Sequence, residues 1–258
     1  MNYALRVERG DQQKVKEKLL SLGFELLESK DCLWHLRSRS AVVKMYPSGS
    51  ILIQGKDAFK VKELVLSTLE VPDFVSVGCD ESGKGDVFGP LVLCCAVIKP
   101  EYYRKVLELN IKDCKKMEDN QVLEKAKAFK SFGDFACKLV EPFVLNSIYE
   151  DTPNLNRVMD GLYGELLKAL KERYPSAKFF VDAYSSRNPF LNEVVFETKG
   201  ERILSVAVAS VLARAEFLSW LTERRLPKGS SGDSMSLAKR LYEKNPQQAK
   251  KLLKVFFL

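Results

Sequence analysis

Hydrophobic and polar positions follow different periods along the chain, and these periods predict both strands and helices. Positions 91–98 are almost continuously apolar, which is typical of a strand buried on both faces of a sheet. Positions 203–221 are apolar and alanine-rich over a helical length, which predicts a helix in the core. Shorter apolar runs predict further strands at 74–77, 135–145, 178–181 and 193–196. Helical spacing predicts further helices at 101–110, 119–130, 154–173, 234–243 and 247–253.

The order of these elements predicts a mixed sheet. The first three strands can pair as an antiparallel meander, whereas the later strands follow helical crossovers and should run parallel. The sequence contains no internal repeat and no low-complexity segment. We therefore expect an α/β fold in which one mixed sheet is flanked by helices.

Residues 1–68 predict a separate, smaller α+β unit. Short alternating strands surround one helix that begins near Asp11 and another that follows Asp57. Residues 69–73 then form a linker, and the larger domain covers 74–258. Lysines and arginines are scattered through the small unit. On the open face of a curved sheet they could hold a phosphate backbone, and a solvated basic surface is an equally good interpretation.

Composition and charge narrow the class of protein. Hydrophobic residues make up 46% of the chain, which is enough for a proper core. The formal net charge of +7 favours a polyanionic partner, most commonly a nucleic acid, although a basic soluble protein without such a partner has the same charge.

Cysteine, histidine and the N-terminus exclude several classes. The six cysteines form no CxxC pair, and Cys94 and Cys95 lie inside an apolar run. We expect reduced, buried thiols and neither a zinc site nor a disulfide framework. The single histidine, His35, is distant from the acidic residues discussed below, so Ser-His-Asp and Cys-His chemistry fit poorly. Without a signal-like N-terminus or an apolar run of about 18 residues, we expect a cytoplasmic protein with no membrane span.

Four carboxylates stand at the ends of predicted buried elements. Asp80 and Glu81 end the strand that begins at residue 74, Asp182 ends the strand at 178–181, and Glu201 precedes the core helix. Strand ends and helix starts converge in open sheets, and clustered carboxylates repel one another unless cations lie between them. Such oxygen ligands suit Mg²⁺ or Mn²⁺, and two such ions can promote phosphodiester hydrolysis. A basic protein with this cluster is therefore a candidate nuclease.

Each acid also has an ordinary structural interpretation, which the sequence leaves open. Asp182 would accept hydrogen bonds in the turn that follows it. Glu201 would complement the N-terminal dipole of its helix. Asp80 and Glu81 would cap a hairpin.

A phosphate-binding loop is a further interpretation of the same stretch. Residues 78–84 match GxxxxGK after a strand. However, Gly85 stands where a P-loop needs Ser or Thr, and a strand-like run follows instead of a helix. The two acids inside the loop would also repel phosphates, so a nucleotide triphosphatase is a weaker alternative.

The stretch CDESGKGDVFGP at 79–90 closely resembles the signature of ribonuclease HIII, a type 2 ribonuclease H. Segment 112–115 resembles the family's Asp-Ser-Lys segment with Cys114 in place of Ser, and 179–182 and 199–214 resemble the segments that carry the third and fourth acids. Segment 46–55 is similar to part of the family's TATA-binding-protein-like N-terminal domain. The resemblance covers nearly the whole chain, and 79–90 is its specific part.

The resemblance implies a ribonuclease H-like fold with a five-stranded mixed sheet, preceded by a small N-terminal domain that grips the substrate. It implies an endonuclease that hydrolyses the RNA strand of RNA–DNA hybrids with two Mg²⁺ or Mn²⁺ ions, leaving 5′-phosphate and 3′-hydroxyl ends. We expect a monomer, and the rival from another class is a non-catalytic nucleic-acid-binding protein. The implied catalytic and metal-binding residues are Asp80, Glu81, Asp182 and Glu201, with Glu197 or Glu216 as alternatives for the fourth. The implied nucleic-acid-binding residues are Ser82, Gly83, Lys84, Gly85 and Lys115.

Overall fold

The computed structural model describes residues 1–111, 114, 117–190, 193–198 and 200–258, except the side chain of Glu201. The chain divides into two compact units, Met1–Asp73 with Lys99–Lys112 and Phe74–Ile98 with Asp113–Leu258. The domain boundaries inferred from the sequence stay a prediction. The division in the structure differs from them because 99–112 belongs to the smaller unit.

The smaller unit is built on a five-stranded antiparallel sheet, whose strands are, in spatial order, β1 (Asn2–Arg6), β5 (Ser50–Gly55), β4 (Ala41–Met45), β3 (Trp34–Arg37) and β2 (Glu25–Leu27). Alternate strand residues such as Leu36 and Val43 are buried, whereas Lys44 and Arg37 lie on the other face and are less buried. This alternation is what a sheet covered on one face requires. The unit also contains the helices α1 (Arg9–Ser21), α2 (Ala58–Thr68) and α3 (Tyr103–Glu108).

The larger unit contains a second five-stranded sheet. Its elements are β6 (Ser76–Ser82), β7 (Leu91–Ile98), α4 (Asp119–Lys130), β8 (Asp134–Val140), α5 (Pro142–Asp151), α6 (Leu155–Arg173), β9 (Lys178–Asp182), β10 (Val195–Glu197), α7 (Leu204–Glu223), α8 (Gly232–Lys244) and α9 (Pro246–Ala249). Short 3₁₀ turns cover Gly200–Arg202 and Val255–Phe257.

The strand order in this sheet is β10-β9-β6-β7-β8. The pairs β6–β7 and β7–β8 are antiparallel, whereas β9 runs parallel to both β6 and β10. The mixed sheet expected from the order of the elements is thereby confirmed, with the meander first and the parallel strands after the helical crossover α6.

Helices cover both faces of this sheet. Odd-numbered residues of β6 and β7, such as Val77 and Leu93, pack in one cluster with α5 and α6. On the other face β6 lies directly against α7, since a Cβ on Gly78 would come within 2.2 Å of the backbone nitrogen of Val206. Glycine at this position therefore allows the strand and the core helix to approach closely.

Helix α7 is the core helix that its apolar sequence predicts. Among the described residues it is the helix whose length and composition would suffice to cross a membrane, and most of it is buried inside the unit. Burial of this kind is typical of the central helix of a globular domain.

One predicted strand was wrong in extent. The alternation at 135–145 suggested a single long strand, whereas β8 ends at Val140 and α5 begins at Pro142. Proline suits the first helical position because its missing N–H would have no partner there. The proline, rather than the apolar pattern, marks the change from strand to helix.

The prediction of reduced cysteines is wrong for four of the six. Disulfide bonds join Cys79 to Cys95 and Cys94 to Cys137, whereas Cys32 and Cys114 take part in neither bond. The physical reason is the strand register, which places Cys79 opposite Cys95 and Cys94 opposite Cys137 on neighbouring strands. Cysteines on neighbouring strands are brought together by pairing, which the spacing along the chain does not reveal.

Candidate active site

Asp80 and Glu81 lie near the end of β6 and point to opposite faces of the sheet. Successive side chains in a strand alternate in direction, so the two neighbours have different surroundings. Asp80 faces α7 and accepts a hydrogen bond from the Ser210 hydroxyl. Glu81 faces α6, where the Tyr163 hydroxyl donates to its Oε2 at 2.9 Å. Two acids that are adjacent in the sequence are therefore hydrogen-bonded by helices on opposite faces of the sheet.

The electrostatics of Asp80 favour a positively charged ligand. Burial raises the pKa of Asp80 well above its ordinary value, and the Glu81 and Asp182 carboxylates raise it further. Hydrogen bonds from Ser210 and from the Glu81 backbone N–H, the latter at 2.7 Å to Oδ1, act in the opposite direction but are outweighed. Carboxylates that repel one another in this way are the ligands that a divalent cation would stabilise.

Tyr163 is held as a hydrogen-bond donor to Glu81. Its ring stacks on Tyr184 with 5.4 Å between ring centroids, and the Tyr184 hydroxyl donates to Oδ1 of Asp160 at 2.6 Å. Burial, together with the charges of Glu81 and Asp80, raises the pKa of Tyr163 well above its ordinary value. The phenol therefore stays protonated and keeps Glu81 in place.

Asp182 is the last residue of β9, and its Oδ1 accepts the Gly200 backbone N–H at 2.7 Å. Because β9 runs parallel to β6, Asp182 lies at the same edge of the sheet as Asp80. Gly200 opens the 3₁₀ turn that leads into α7 and includes the backbone of Glu201. The side chain of Glu201 lies outside the described residues.

The two alternatives for the fourth acid lie elsewhere. Glu197 ends β10 with an exposed side chain and pairs in register with Asp182. Glu216 forms a salt bridge with Lys130. Neither residue lines the cavity described below.

The glycine-rich loop connects β6 with β7. Ser82 is the buried last residue of β6. Gly83 has φ +86°, and a Cβ there would lie 2.2 Å from the Pro90 carbonyl oxygen, so internal packing demands glycine. At Gly85 nothing lies within 4 Å of an added Cβ. Glycine at this second position is therefore not needed for folding, and it leaves the backbone open to a ligand.

Lys84 lies between the two glycines. Its Nζ donates to the Tyr184 carbonyl oxygen at 2.9 Å and lies 5.5 Å from the centroid of the Tyr184 ring. Lys115, the other basic residue implied by the resemblance, lies outside the described residues. Cys114, which replaces the family's serine, is described, and its sulfur lies 3.0 Å from the Ser210 hydroxyl oxygen.

Asp80, Glu81, Asp182 and the first part of the glycine-rich loop line one cavity of about 500 Å³. Within the described part of the chain, no three His, Cys, Asp or Glu side chains are grouped closely enough to hold a metal ion by themselves. Asp80, Glu81 and Asp182 thus share a cavity without forming a closed ligand set. The lining residues are Asp80, Glu81, Ser82, Gly83, Lys84, Gly85, Asp86, Cys114, Met117, Asp119, Asp182, Ser210, Arg214 and Lys228.

Sequence reasoning missed several polar residues of this cavity. Ser210 and Arg214 are four residues apart on α7 and therefore share a face, which the apolar character of the helix concealed. Lys228 and Arg214 both approach Asp119, with N–O distances of 2.6 and 3.8 Å. The sequence signal that could have identified these residues was the four-residue spacing of Ser210 and Arg214 within a mostly apolar helix.

The geometry does not fit a P-loop. The loop after β6 leads into β7, which is a strand, so no helix begins where phosphates would bind. Asp80 and Glu81 also place negative charge in the cavity. The nucleotide triphosphatase alternative is therefore not supported.

Comparisons with family models and with known sequences point to the same family. The family model described as ribonuclease HII matches residues 77–251. A ribonuclease HIII from Aquifex aeolicus is 40% identical, with the alignment covering 96% of this chain and 98% of the relative. A ribonuclease HIII from Chlamydia felis is 30% identical, covering 88% of this chain and 85% of the relative.

Solved structures agree with the sequence relatives. The crystal structure of Aquifex aeolicus RNase H3 matches with a TM-score of 0.65 at 38% identity, covering 99% of this chain and all (100%) of that one. The structure of Bst-RNase HIII in complex with Mn²⁺ matches with a TM-score of 0.66 at 22% identity, covering 99% and 96%. The second match bears on the fold alone.

Proposed function

The chain belongs to the ribonuclease HII family and is an endoribonuclease of RNA–DNA hybrids, and we propose that its chemistry takes place in the cavity lined by Asp80, Glu81 and Asp182. Members of the family hydrolyse the RNA strand with the help of divalent metal ions. The observation that carries the proposal is the meeting of three carboxylates in one cavity, where burial and the two neighbouring acids raise the pKa of Asp80. A cluster that favours positive charge in this way suits a metal-dependent hydrolase.

Asp80, Glu81, Asp182 and Glu201 are the residues that would hold the metal ions. Their oxygen atoms suit Mg²⁺ and Mn²⁺. The chemistry that such ions supply when bound is activation of a water molecule and stabilisation of the leaving oxygen of the phosphodiester. The RNA strand would then be left with 5′-phosphate and 3′-hydroxyl ends.

The neighbouring side chains orient these carboxylates. Ser210 holds Asp80 from α7, Tyr163 holds Glu81 from α6, and the Gly200 N–H holds Asp182. Each donor fixes the orientation of the carboxylate that it contacts. Positioning of this kind commonly affects metal affinity nearly as much as the ligands themselves.

The glycine-rich loop is the proposed site of RNA recognition. Gly85 leaves the backbone open, so a ribose 2′-hydroxyl can approach the main chain next to Lys84. Ser82 and Gly83 fix the start of the loop. Lys84 and Lys115 are assigned to phosphates of the substrate.

The open face of the sheet in the smaller unit is the proposed grip on the hybrid duplex. Arg37 and Lys44 lie on that face of β3 and β4 and supply positive charge for a phosphate backbone. We also assign the protein to the cytoplasm and treat it as a monomer.

The test is a cleavage assay with a labelled RNA–DNA hybrid in Mg²⁺ or Mn²⁺. The proposal predicts RNA fragments with 5′-phosphate and 3′-hydroxyl ends, and no product from DNA duplex, RNA duplex or ATP. Binding of the hybrid without any metal-dependent product would support the non-catalytic alternative instead.

A further inference from the structure

Lys254 is a buried lysine near the C-terminus that the site described above does not include. Its side chain is completely buried (0% exposed), and its Nζ forms no salt bridge with any carboxylate of the described residues. Burial lowers the pKa of Lys254 to about 7, and the charge of Asp86 opposes this effect. An ammonium group in such a place costs free energy unless its donors are satisfied.

All three donors of the Lys254 ammonium group have acceptors. Its Nζ donates to the backbone carbonyl oxygens of Asp86 at 2.7 Å, Phe88 at 3.2 Å and Gly89 at 2.6 Å. These three carbonyls belong to the second half of the glycine-rich loop. A single side chain therefore fixes three peptide groups of the loop.

The main chain around Lys254 is attached to the same loop. The Lys254 N–H donates to the Val87 carbonyl and the Gly89 N–H donates to the Leu252 carbonyl, both at 2.9 Å. Phe88 and Leu253 form an antiparallel bridge between these bonds. The C-terminal segment thus pairs with 87–89 like a short strand.

This segment is anchored in turn by Asn146 on α5, which is 2% exposed. The Asn146 amide donates to the Leu253 carbonyl at 2.9 Å and accepts the Val255 N–H at 2.9 Å. The anchor is therefore part of the packed unit, although the loop and the C-terminus are distant in sequence.

The loop is consequently fixed on both sides of its exposed part. Gly83 is packed against Phe217 and Pro90, and 86–89 are held by Lys254, so 84–85 form the exposed part between two fixed points. We propose that Lys254 is a positioning residue that holds the glycine-rich loop in the conformation that accepts the ribose of the RNA strand. The inference rests on the proposed role of Gly83–Gly85 in RNA recognition. The family match ends at residue 251 and does not include Lys254.

The first experiment compares Lys254→Met with Lys251→Met by hydrogen–deuterium exchange of the intact protein. Methionine has a similar length but no N–H donors, and Lys251 is an exposed neighbour on the same segment. We expect faster exchange of the backbone amides at 83–89 in Lys254→Met, with the sheet unchanged, and wild-type exchange in Lys251→Met. Unchanged exchange of the loop in Lys254→Met would overturn the proposal.

The second experiment separates positioning from stability through the kinetics of hybrid cleavage. We expect the KM of Lys254→Met to rise at least about tenfold, with kcat within about threefold and Mn²⁺ affinity unchanged, because loop disorder weakens substrate binding and leaves the carboxylates in place. Equal loss of kcat and Mn²⁺ affinity would contradict positioning of the loop. If the wild type cleaves no hybrid, the proposed function fails, and the exchange result alone then decides the role of Lys254.

Asn146→Ala covers the case in which Lys254→Met does not fold. It loosens the C-terminal segment without removing the ammonium group. We expect the same loop amides to exchange faster, by a smaller factor. If both variants unfold globally, the segment serves the stability of the unit and the positioning proposal is overturned.

Discussion

The Gly200 backbone N–H donates a hydrogen bond to Oδ1 of Asp182 at 2.7 Å. This bond joins the end of β9 to the 3₁₀ turn before α7. The bond therefore places the backbone of the turn that contains Glu201 next to Asp182, although the two residues are distant in the sequence. Glu201 as the fourth acid of the proposed site stays a prediction, and Glu197, although it pairs in register with Asp182, has an exposed side chain that does not line the cavity.

A set of glutamine substitutions tests this preference. We expect Glu201→Gln to lower Mn²⁺ affinity and hybrid cleavage by roughly 100-fold or more, because a metal ligand matters at least as much as its supporting hydrogen bonds. Glu197→Gln and Glu216→Gln should stay within a few-fold of wild type, since neither side chain lines the cavity. Calorimetric titration with Mn²⁺ and the cleavage assay measure both quantities. Loss of metal binding in Glu197→Gln with a normal Glu201→Gln would reverse the assignment.

Asp80→Asn should stabilise the metal-free protein. The pKa of Asp80 is raised in the folded state, mainly by burial and then by Glu81. The folded state therefore holds this proton more tightly than the unfolded state, and stability falls as the pH rises from the unfolded pKa through the folded one. Because asparagine does not ionise, the variant does not lose this stability as the pH rises. We expect a gain of about 1 kcal/mol, or roughly 2–4 °C in Tm, at neutral pH.

The pH dependence supplies the control for Asp80→Asn. The difference in Tm between the variant and the wild type should shrink as the pH is lowered, because Asp80 is then protonated in both states. Saturating Mn²⁺ should reverse the order by stabilising the wild type alone. Thermal melts in EDTA and in Mn²⁺ measure this, and a variant less stable than wild type in EDTA at neutral pH would contradict the assigned repulsion.

The two glycines of the recognition loop should respond differently to alanine. Gly83→Ala forces a side chain into a left-handed backbone 2.2 Å from the Pro90 oxygen, and we expect destabilisation on the order of 1–3 kcal/mol. Gly85→Ala meets no atom within 4 Å and should keep the wild-type Tm. We expect Gly85→Ala to raise the KM for the hybrid by about tenfold, which corresponds to about 1.4 kcal/mol.

Gly164→Ala is a suitable control for Gly85→Ala, since nothing lies within 4 Å of a Cβ on this glycine of α6. Its KM should equal that of the wild type. A Gly85→Ala enzyme with unchanged KM would mean that the ribose does not approach the backbone at this position.

The disulfide bonds predict a thiol count and a stability change. Protein purified without reductant and then denatured should show two thiols that react with a thiol reagent, those of Cys32 and Cys114, and six after reduction. Reduction should lower the Tm, because each disulfide bond restricts the unfolded chain. For a loop of 15 residues, this restriction raises the free energy of unfolding by about 3 kcal/mol. The sequence separations here are 16 and 43.

The double variant Cys79→Ala/Cys95→Ala separates the two bonds, since it should retain the response of Cys94–Cys137 to reduction. Six free thiols in the protein before reduction would instead restore the interpretation of reduced cysteines.

Much of the fold follows from the sequence because the relevant signals are local. The apolar run of β7, the core helix α7 and the order of the strands all depend on burial patterns that neighbouring residues share. The carboxylates of the site could be proposed from the sequence because each stands where such a pattern ends. Pairing between strands is not local, so the register that joins Cys79 to Cys95 could not be predicted.

The same difference between local and non-local signals explains why several residues around the carboxylates could not be predicted. Ser210 and Tyr163 reach Asp80 and Glu81 only after α7 and α6 pack on opposite faces of the sheet. Lys254 meets the loop only through the tertiary fold, since most of the chain separates them in sequence. No period or motif encodes neighbours of this type.

Asp182→Asn tests the central claim most directly, because Asp182 lines the cavity but is far from Asp80 in the sequence. The measurement is cleavage of a labelled RNA–DNA hybrid in Mn²⁺, together with binding of the same hybrid in EDTA. We predict that cleavage falls by roughly 100-fold or more while binding stays within a few-fold of wild type, since the variant loses a metal ligand and keeps the binding surfaces. Full cleavage by Asp182→Asn would contradict the account.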